Sequence, residues 1–153
     1  MPESYLNFYP VLGKQRGYVA DTFVKALLSE NKCKKFVVVG QSKDDIPTLL
    51  RKKHVIQKEN TVGELIEERY YINGMLMNEN KEKWKAFEAI KRNSSLDVIV
   101  IHHRDWNEVR EYGLGFDHID TLFVTKDMHS NKEYMKVVKR YKKMKLIDNI
   151  KKI

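Results

Sequence analysis

Residues 97–107, DVIVIHHRDWN, contain the most informative pattern of this chain. Residues 98–101 are all apolar and β-branched, which predicts a short buried strand. The strand ends in two adjacent histidines, His102 and His103, and the chain continues into a polar loop. Because polar groups at the end of a buried strand cost free energy unless they are bonded, these histidines make this end of the strand the first candidate for a functional site.

A second apolar run follows and predicts a strand over 120–125. His129 comes shortly after it. Ser130 and Glu133 then form a capping box, which predicts a helix over 130–147. Two strands followed by a helix, with histidines on the first strand and beside the helix start, predict a site where a divalent metal ion and a phosphodiester meet.

The composition limits the class of protein. The chain has 153 residues, of which 42% are hydrophobic and 33% charged, and its formal net charge is +8. It has no apolar run near the roughly 18 residues of a membrane span, and its start lacks the pattern of a signal peptide. The single Cys33 excludes an internal disulfide and a paired-cysteine zinc knuckle. We expect a cytoplasmic protein without membrane association, and the basic charge favours DNA as a partner.

Residues 1–95 are predicted to form an N-terminal α/β region of unknown role. A β-branched run at 35–40 predicts a strand. The capping box of Thr61 with Glu64 predicts a helix over 61–72. Further helices are predicted over 21–30, 42–53 and 81–92.

The helices predicted over 42–53 and 61–72 have the pattern of a helix-turn-helix that contacts DNA. Two helices that pack on a sheet produce the same pattern, and we favour this second interpretation. The predicted fold class is therefore α+β, with the two strands and the helix of residues 96–153 as a C-terminal module. The alternative is one compact domain over both regions.

The C-terminal helix is strongly basic. Its apolar residues form one stripe, and lysines and arginines cover the rest of its surface. Such a surface is either a solvated face or a contact for nucleic-acid phosphates. The residues predicted to contact nucleic acid are Arg104, Lys136, Lys139, Arg140 and Lys143.

Two segments resemble a known family. HHRDWN at 102–107 looks like a first strand signature of two histidines, any residue, Asp, a variable residue and Asn. DTLFVTKDMHSN at 120–131 is similar to a second strand and helix start in which a histidine follows nine residues after the first position. Together they resemble the HNH, or ββα-metal, endonuclease family over roughly residues 97–145. Asp120 stands where the family has Asn, and the loop 108–119 is longer than usual.

The resemblance implies a metal-dependent endonuclease that hydrolyses DNA phosphodiester bonds. His103 would be the general base that activates a water molecule, with Asn107 and Asp120 as further catalytic residues. His102, His129 and Glu133 would bind one divalent ion, which the sequence leaves open as Mg, Mn, Zn or Ni. Asp105 would orient the site through hydrogen bonds.

Two other functions stay open. Three apolar strands that each end in a polar loop also fit a parallel α/β sheet that binds a nucleotide or phosphometabolite at its carboxyl edge. In that case Gly40, Gln41 and Ser42 would contact a phosphate. The nuclease requires 98–102 to pair antiparallel with 120–125, whereas the nucleotide-binding protein requires these strands to be parallel. A DNA-binding protein with a degenerate, inactive HNH motif is the third possibility.

Overall fold

The computed structural model describes residues 33–79 and 83–153. Within these residues the architecture is a mixed α and β fold with seven strands and five helices. The strands are β1 (Lys34–Val39), β2 (Val62–Ile66), β3 (Arg69–Ile72), β4 (Met75–Glu79), β5 (Val98–His103), β6 (Ile119–Val124) and β7 (Ile147–Lys152). The helices are α1 (Ile46–Lys52), α2 (Lys83–Lys91), α3 (Trp106–Tyr112), α4 (Lys126–His129) and α5 (Lys132–Lys143).

The seven strands form one sheet in the order β4-β3-β2-β5-β1-β6-β7. The five strands from β2 to β7 in this order are parallel, and β3 and β4 extend the sheet as antiparallel strands. The central strands are β-branched and buried on both sides, as is typical of parallel sheets covered by helices. The strands predicted at 35–40, 98–102 and 120–125 are thus confirmed to within about one residue at each end.

The predicted antiparallel pairing of 98–102 with 120–125 is wrong. β1 lies between β5 and β6 and is parallel to both. The connection from β5 to β6 contains α3, which crosses over β1, and crossovers of this kind join parallel strands. The long loop predicted over 108–119 is therefore partly helical.

The helices cover the two faces of the sheet unequally. On one face, Ile46 and Leu50 of α1 pack against Val38 and Val100. We call this side the α1 face. On the other face, α2, α3 and α5 contribute buried residues to a larger core with strand residues such as Val37 and Ile101. The connection that follows β1 therefore lies on the α1 face, and the connections that follow β5 and β6 lie on the other face.

The prediction of a helix over 61–72 is wrong, because this segment forms β2 and β3. Asn73 and Gly74 both have positive φ angles, 48° and 81°, and join β3 to β4 in a two-residue turn. Asn-Gly between apolar runs is a strong hairpin signal, although the same dipeptide also fits the end of a helix. The helix-turn-helix alternative requires a helix over 61–72 and fails for the same reason.

The end of the chain also differs from prediction. The helix expected over 130–147 is shorter and covers Lys132–Lys143, with Asn131 as its N-cap through a side-chain bond to the Tyr134 N–H. The chain then forms the edge strand β7. The helices predicted over 42–53 and 81–92 are confirmed as α1 and α2, each somewhat shorter than expected.

The predicted boundary between residues 95 and 96 lies inside the fold, because strands from both sides of it share one sheet. The helix predicted over 21–30 lies outside the described residues. Among the helices of residues 33–79 and 83–153, none is long and apolar enough to cross a membrane. The cytoplasmic location expected from the sequence stays a prediction.

Candidate functional site

The carboxyl ends of β1, β5 and β6 meet at Gly40. Its N–H donates to the carbonyl oxygen of His103 at 2.8 Å, and the Thr125 N–H donates to the carbonyl of Val39 at 3.0 Å. Gly40 has a φ of +122°, and a Cβ atom on it would overlap the Thr125 side chain. Only glycine permits this backbone conformation and this close approach. The three strand ends therefore form one compact edge.

His102 faces this edge in a defined orientation. Its Nε2 lies 2.6 Å from the carbonyl oxygen of Gly40. Because a carbonyl oxygen only accepts, Nε2 donates, and in the neutral imidazole Nδ1 then holds a lone pair. Nδ1 is buried and has no hydrogen-bond partner within the described part of the chain. The ring thus presents a hydrogen-bond acceptor that the protein itself does not use.

His103 points to the opposite face of the sheet from His102. β5 continues through both residues, and successive side chains of a strand alternate between faces. His102 has the same parity as Val100 and lies on the α1 face, whereas His103 has the parity of Ile101 and is 1% exposed in the other core. The two histidines therefore do not share a site in this fold.

The loop after β5 is held by Glu108. This carboxylate accepts from the Arg104 N–H at 2.9 Å and from Arg104 Nε at 2.7 Å, while Arg104 Nη1 lies 3.1 Å from Glu67 Oε1. Asp105 is the N-cap of α3 and accepts from the Glu108 N–H. Asn107 is exposed in the first turn of α3. Arg104 and Asp105 thus have structural partners that account for their positions.

Trp106 joins this loop to the segment after β6. Its Nε1 donates to the Met128 carbonyl at 3.0 Å, and its ring stacks on Tyr134 with centroids 4.9 Å apart. The indole is almost fully buried, and a buried Trp usually finds such a partner for its N–H. These contacts hold the loops at the carboxyl ends of β5 and β6 together.

Glu64 is a buried carboxyl group on the α1 face. It lies in β2 with the same parity as Val62, and it is 4% exposed. Burial, with a smaller contribution from the nearby Asp45 carboxylate, raises the pKa of Glu64 to about 8. Glu64 is therefore mostly protonated at neutral pH, and its Oε2 has no hydrogen-bond partner among the residues that the structure describes.

Several predicted site residues lie away from the histidine pair. Asp120 is near the start of β6, and its Oδ2 accepts from the Lys35 N–H at 2.7 Å. From the sheet register it lies four residues, or about 13 Å, from the carboxyl end of β6. His129 and Glu133 are exposed at the end of α4 and in the first turn of α5. Residues 33–79 and 83–153 contain no group of three His, Cys, Asp or Glu side chains that could hold a metal ion.

Five of the six basic residues of α5 lie on one side of the helix, and Lys142 is the exception. They recur at intervals of three and four residues, which places them on one helical face. Met135 and Val138 are buried on another side, and Glu133 is the only acidic residue of α5. Within the described residues, the side chains of this face form no ion pair. The exposed members are Lys132, Lys136, Lys139, Arg140 and Lys143.

Glu64 and Thr125 are candidate site residues that the sequence pattern does not indicate. Glu64 fits the partner position of a helix capping box, although its position between Val62 and Leu65 in a short apolar run is also typical of a buried strand. Thr125 was included in a strand without a role. It follows β6 directly, is 8% exposed, and its Oγ1 has no partner in the described part of the chain.

No protein-family model matches this chain, and no curated protein is significantly similar to it.

Proposed function

We propose that this protein binds a phosphorylated ligand, a nucleotide or a phosphometabolite, at the carboxyl edge of its parallel strands. The observation that carries the proposal is the parallel arrangement of β5 and β6 on either side of β1. Ligands of open α/β sheets bind outside the carboxyl ends of the strands, where neighbouring connections leave in opposite directions. Here the connection after β1 uses the α1 face, and those after β5 and β6 use the other.

The loop after β1 supplies donors for a phosphate. In the described residues, the backbone N–H groups of Gln41, Ser42 and Lys43 donate no hydrogen bond to the protein. Successive free N–H groups in a turn form a favourable surface for an anion. Lys126 directly follows Thr125, whose side chain abuts Gly40, so an exposed positive charge is available at this edge of the sheet. The ligand class is therefore an anion that accepts several hydrogen bonds, as a phosphate does.

Isothermal titration calorimetry with ATP, AMP and inorganic phosphate tests this proposal. Lys126→Glu places a negative charge at the site and is expected to weaken binding by about tenfold or more. Lys58→Glu makes the same change on an exposed residue between α1 and β2, at the opposite edge, and should leave the affinity unchanged. If none of the three probes binds, or if both variants weaken binding equally, the proposal is wrong.

Nucleic-acid binding is a second candidate, and the basic face of α5 favours it. The face from Lys132 to Lys143 is about 16 Å long, and duplex DNA presents one charge per about 1.7 Å of its axis. A surface of this length faces several phosphates. This binding does not require a metal ion or a reaction, so it is also compatible with a DNA-binding protein that lacks catalysis.

Fluorescence anisotropy with single-stranded and double-stranded DNA over a range of salt concentrations tests this second candidate. Lys136→Glu and Lys139→Glu should each weaken binding to all sequences alike and flatten the salt dependence by about one phosphate contact or more. Lys139→Arg keeps the charge and should bind as the wild type does. Loss of binding to one sequence only would argue that α5 contacts bases instead.

The endonuclease activity expected from the HNH resemblance stays a prediction with less support. It requires His102 and His103 in one site, together with Asp120, and these residues lie on two faces and at two edges of the sheet. Incubation with plasmid DNA and a panel of divalent ions tests it directly. Nicking that His103→Ala abolishes would restore the prediction, whereas no nicking with any ion would exclude it.

A further inference from the structure

Two buried polar groups lie on the α1 face next to the proposed phosphate site. The register pairs Ile66 of β2 with His102 of β5, so Glu64 and His102 are on neighbouring strands, two positions apart along the sheet. Both have the parity that places side chains on the α1 face. We call these two residues the Glu64–His102 pair.

Each member of the pair has a polar atom that the described protein does not bond. These atoms are Oε2 of Glu64 and Nδ1 of His102, and both are buried. A buried polar group without a partner destabilises the folded state, and most buried polar atoms in folded proteins are bonded. Two such atoms on neighbouring strands, beside the loop that follows β1, offer a ligand two hydrogen-bonding positions that the described protein leaves unused.

The chemistry of the pair is complementary. His102 donates from Nε2 to the Gly40 carbonyl, so its Nδ1 is an acceptor in the neutral ring. Glu64 in its protonated form carries an O–H donor as well as an acceptor. The charged and titratable groups near Glu64 are Asp45 before α1, His102 on β5 and Tyr71, which is opposite Glu64 on β3. Burial, with a smaller contribution from Asp45, disfavours a carboxylate at Glu64, so the pair offers an O–H donor and, in the neutral imidazole, a nitrogen acceptor.

We infer that the Glu64–His102 pair recognises a hydroxyl or amino group on the non-phosphate part of the ligand, so that the site selects sugar or nucleoside phosphates over inorganic phosphate. This inference rests on the proposed phosphate site at the same edge. The ligand group donates to Nδ1 of His102 and interacts with the Glu64 carboxyl group. A divalent metal ion is the less favoured occupant, because the described residues supply no third ligand of the His, Cys, Asp or Glu type.

The first test compares ligand affinities in one variant of His102 and in one control variant. His102→Gln keeps an amide donor near the Gly40 carbonyl and removes the Nδ1 acceptor. Calorimetry should then show about tenfold weaker binding of AMP and ribose 5-phosphate, which corresponds to one lost hydrogen bond, with inorganic phosphate unchanged. His118→Gln, on an exposed histidine at the opposite edge, should change none of these affinities.

The second test follows the His102 ring and Glu64 separately. In ¹H–¹⁵N spectra of the ring nitrogens, AMP should shift the Nδ1 signal of His102 and inorganic phosphate should not. Glu64→Gln keeps a neutral donor and should bind AMP within about threefold of the wild type, whereas Glu64→Leu should lose about tenfold or more.

The outcomes separate this inference from the proposed function. If inorganic phosphate and AMP bind but His102→Gln weakens both equally, or neither, the inference is overturned and the phosphate site remains. If Zn²⁺ alone shifts the Nδ1 signal and AMP does not, the pair binds a metal and the inference is also overturned. If no phosphate probe binds to the wild-type protein, the proposed function fails, and the inference fails with it.

Discussion

The two edges of the sheet differ in how their polar side chains are used. At the amino edge, Asp97, Asp120 and Asn73 each accept a hydrogen bond from a backbone N–H where a strand begins, at 2.7–2.9 Å. At the carboxyl edge, the Nδ1 of His102 and the Oγ1 of Thr125 are buried without a partner in the described residues.

The difference indicates which polar residues serve the fold and which are available for a ligand. A side chain that satisfies a backbone N–H at a strand start has a structural role that explains its presence. A buried group without such a role is a better candidate for binding. The amino edge has one exception, the buried Nε of Arg51, although Nη2 of the same guanidinium donates to the Asn60 carbonyl.

The largest effect is expected for Gly40→Ala at the carboxyl edge. The new Cβ would overlap Thr125 and the φ of +122° would be strained, so the free energy of unfolding should fall by about 3–5 kcal/mol. Gly113→Ala is the matched control, because Gly113 has a φ of +76° with nothing near its Cβ position. It should lose only about 1–2 kcal/mol. Equal losses in urea denaturation would show that the close approach of the strand ends is unimportant.

The second effect is the pH dependence of the free energy of unfolding that the titration of Glu64 causes. Its pKa is raised from 4.5 to about 8 on folding. The folded state therefore holds a proton that the unfolded state releases between these values, and stability falls as pH rises through this range by about 1.4 kcal/mol per unit. The fall should stop above about pH 8.

Glu64→Gln tests this directly, because the neutral amide removes the proton linkage. Urea denaturation at pH 5, 6, 7 and 8 should show a flatter profile for the variant, with a gain over the wild type that grows with pH. Glu88→Gln, a partly exposed residue on α2, is the control and should keep the wild-type profile. A wild-type profile without this slope would mean that Glu64 is ionised in the folded protein.

A smaller effect is expected for Asp120→Ala at the amino edge. It removes the acceptor of the Lys35 N–H and should lower the free energy of unfolding by about 1.5–3 kcal/mol, as for a hydrogen bond to a charged group. The affinity for AMP should not change, because Asp120 lies at the opposite edge from Gly40. Loss of binding in a variant that remains folded by circular dichroism would break the proposed division between the two edges.

The smallest effect is expected for His118→Gln. His118 lies 2.9 Å from Asp148, and both side chains are about half exposed, at 47% and 50%. Exposed ion pairs contribute about 0–1 kcal/mol, so the melting temperature should change by no more than a few degrees. A larger loss would mean that the start of β6 depends on this contact with β7.

Secondary-structure elements with local patterns could be predicted from the sequence. The β-branched runs predict β1, β5 and β6, and the apolar spacing predicts α1 and α2, because burial and backbone propensity act over a few residues. The end of β5 as a candidate site also follows from the sequence, since His102 and His103 stand at the end of a buried run. The helix prediction for residues 61–72 was wrong because a capping-box pattern and an Asn-Gly hairpin signal occur together in this region. In the folded protein, pairing between strands favours the hairpin.

The order and direction of the strands in the sheet could not be predicted from local patterns and depend on the tertiary structure. The insertion of β1 between β5 and β6 depends on residues more than 60 positions apart in the chain, and local patterns carry no information about such pairings. The continuation of β5 through His103 places His102 and His103 on opposite faces, and the parallel pairing of β6 places Asp120 at the far edge. The insertion of β1 also brought Gly40, Thr125 and His102 together, because the carboxyl ends of parallel strands lie at one edge of the sheet.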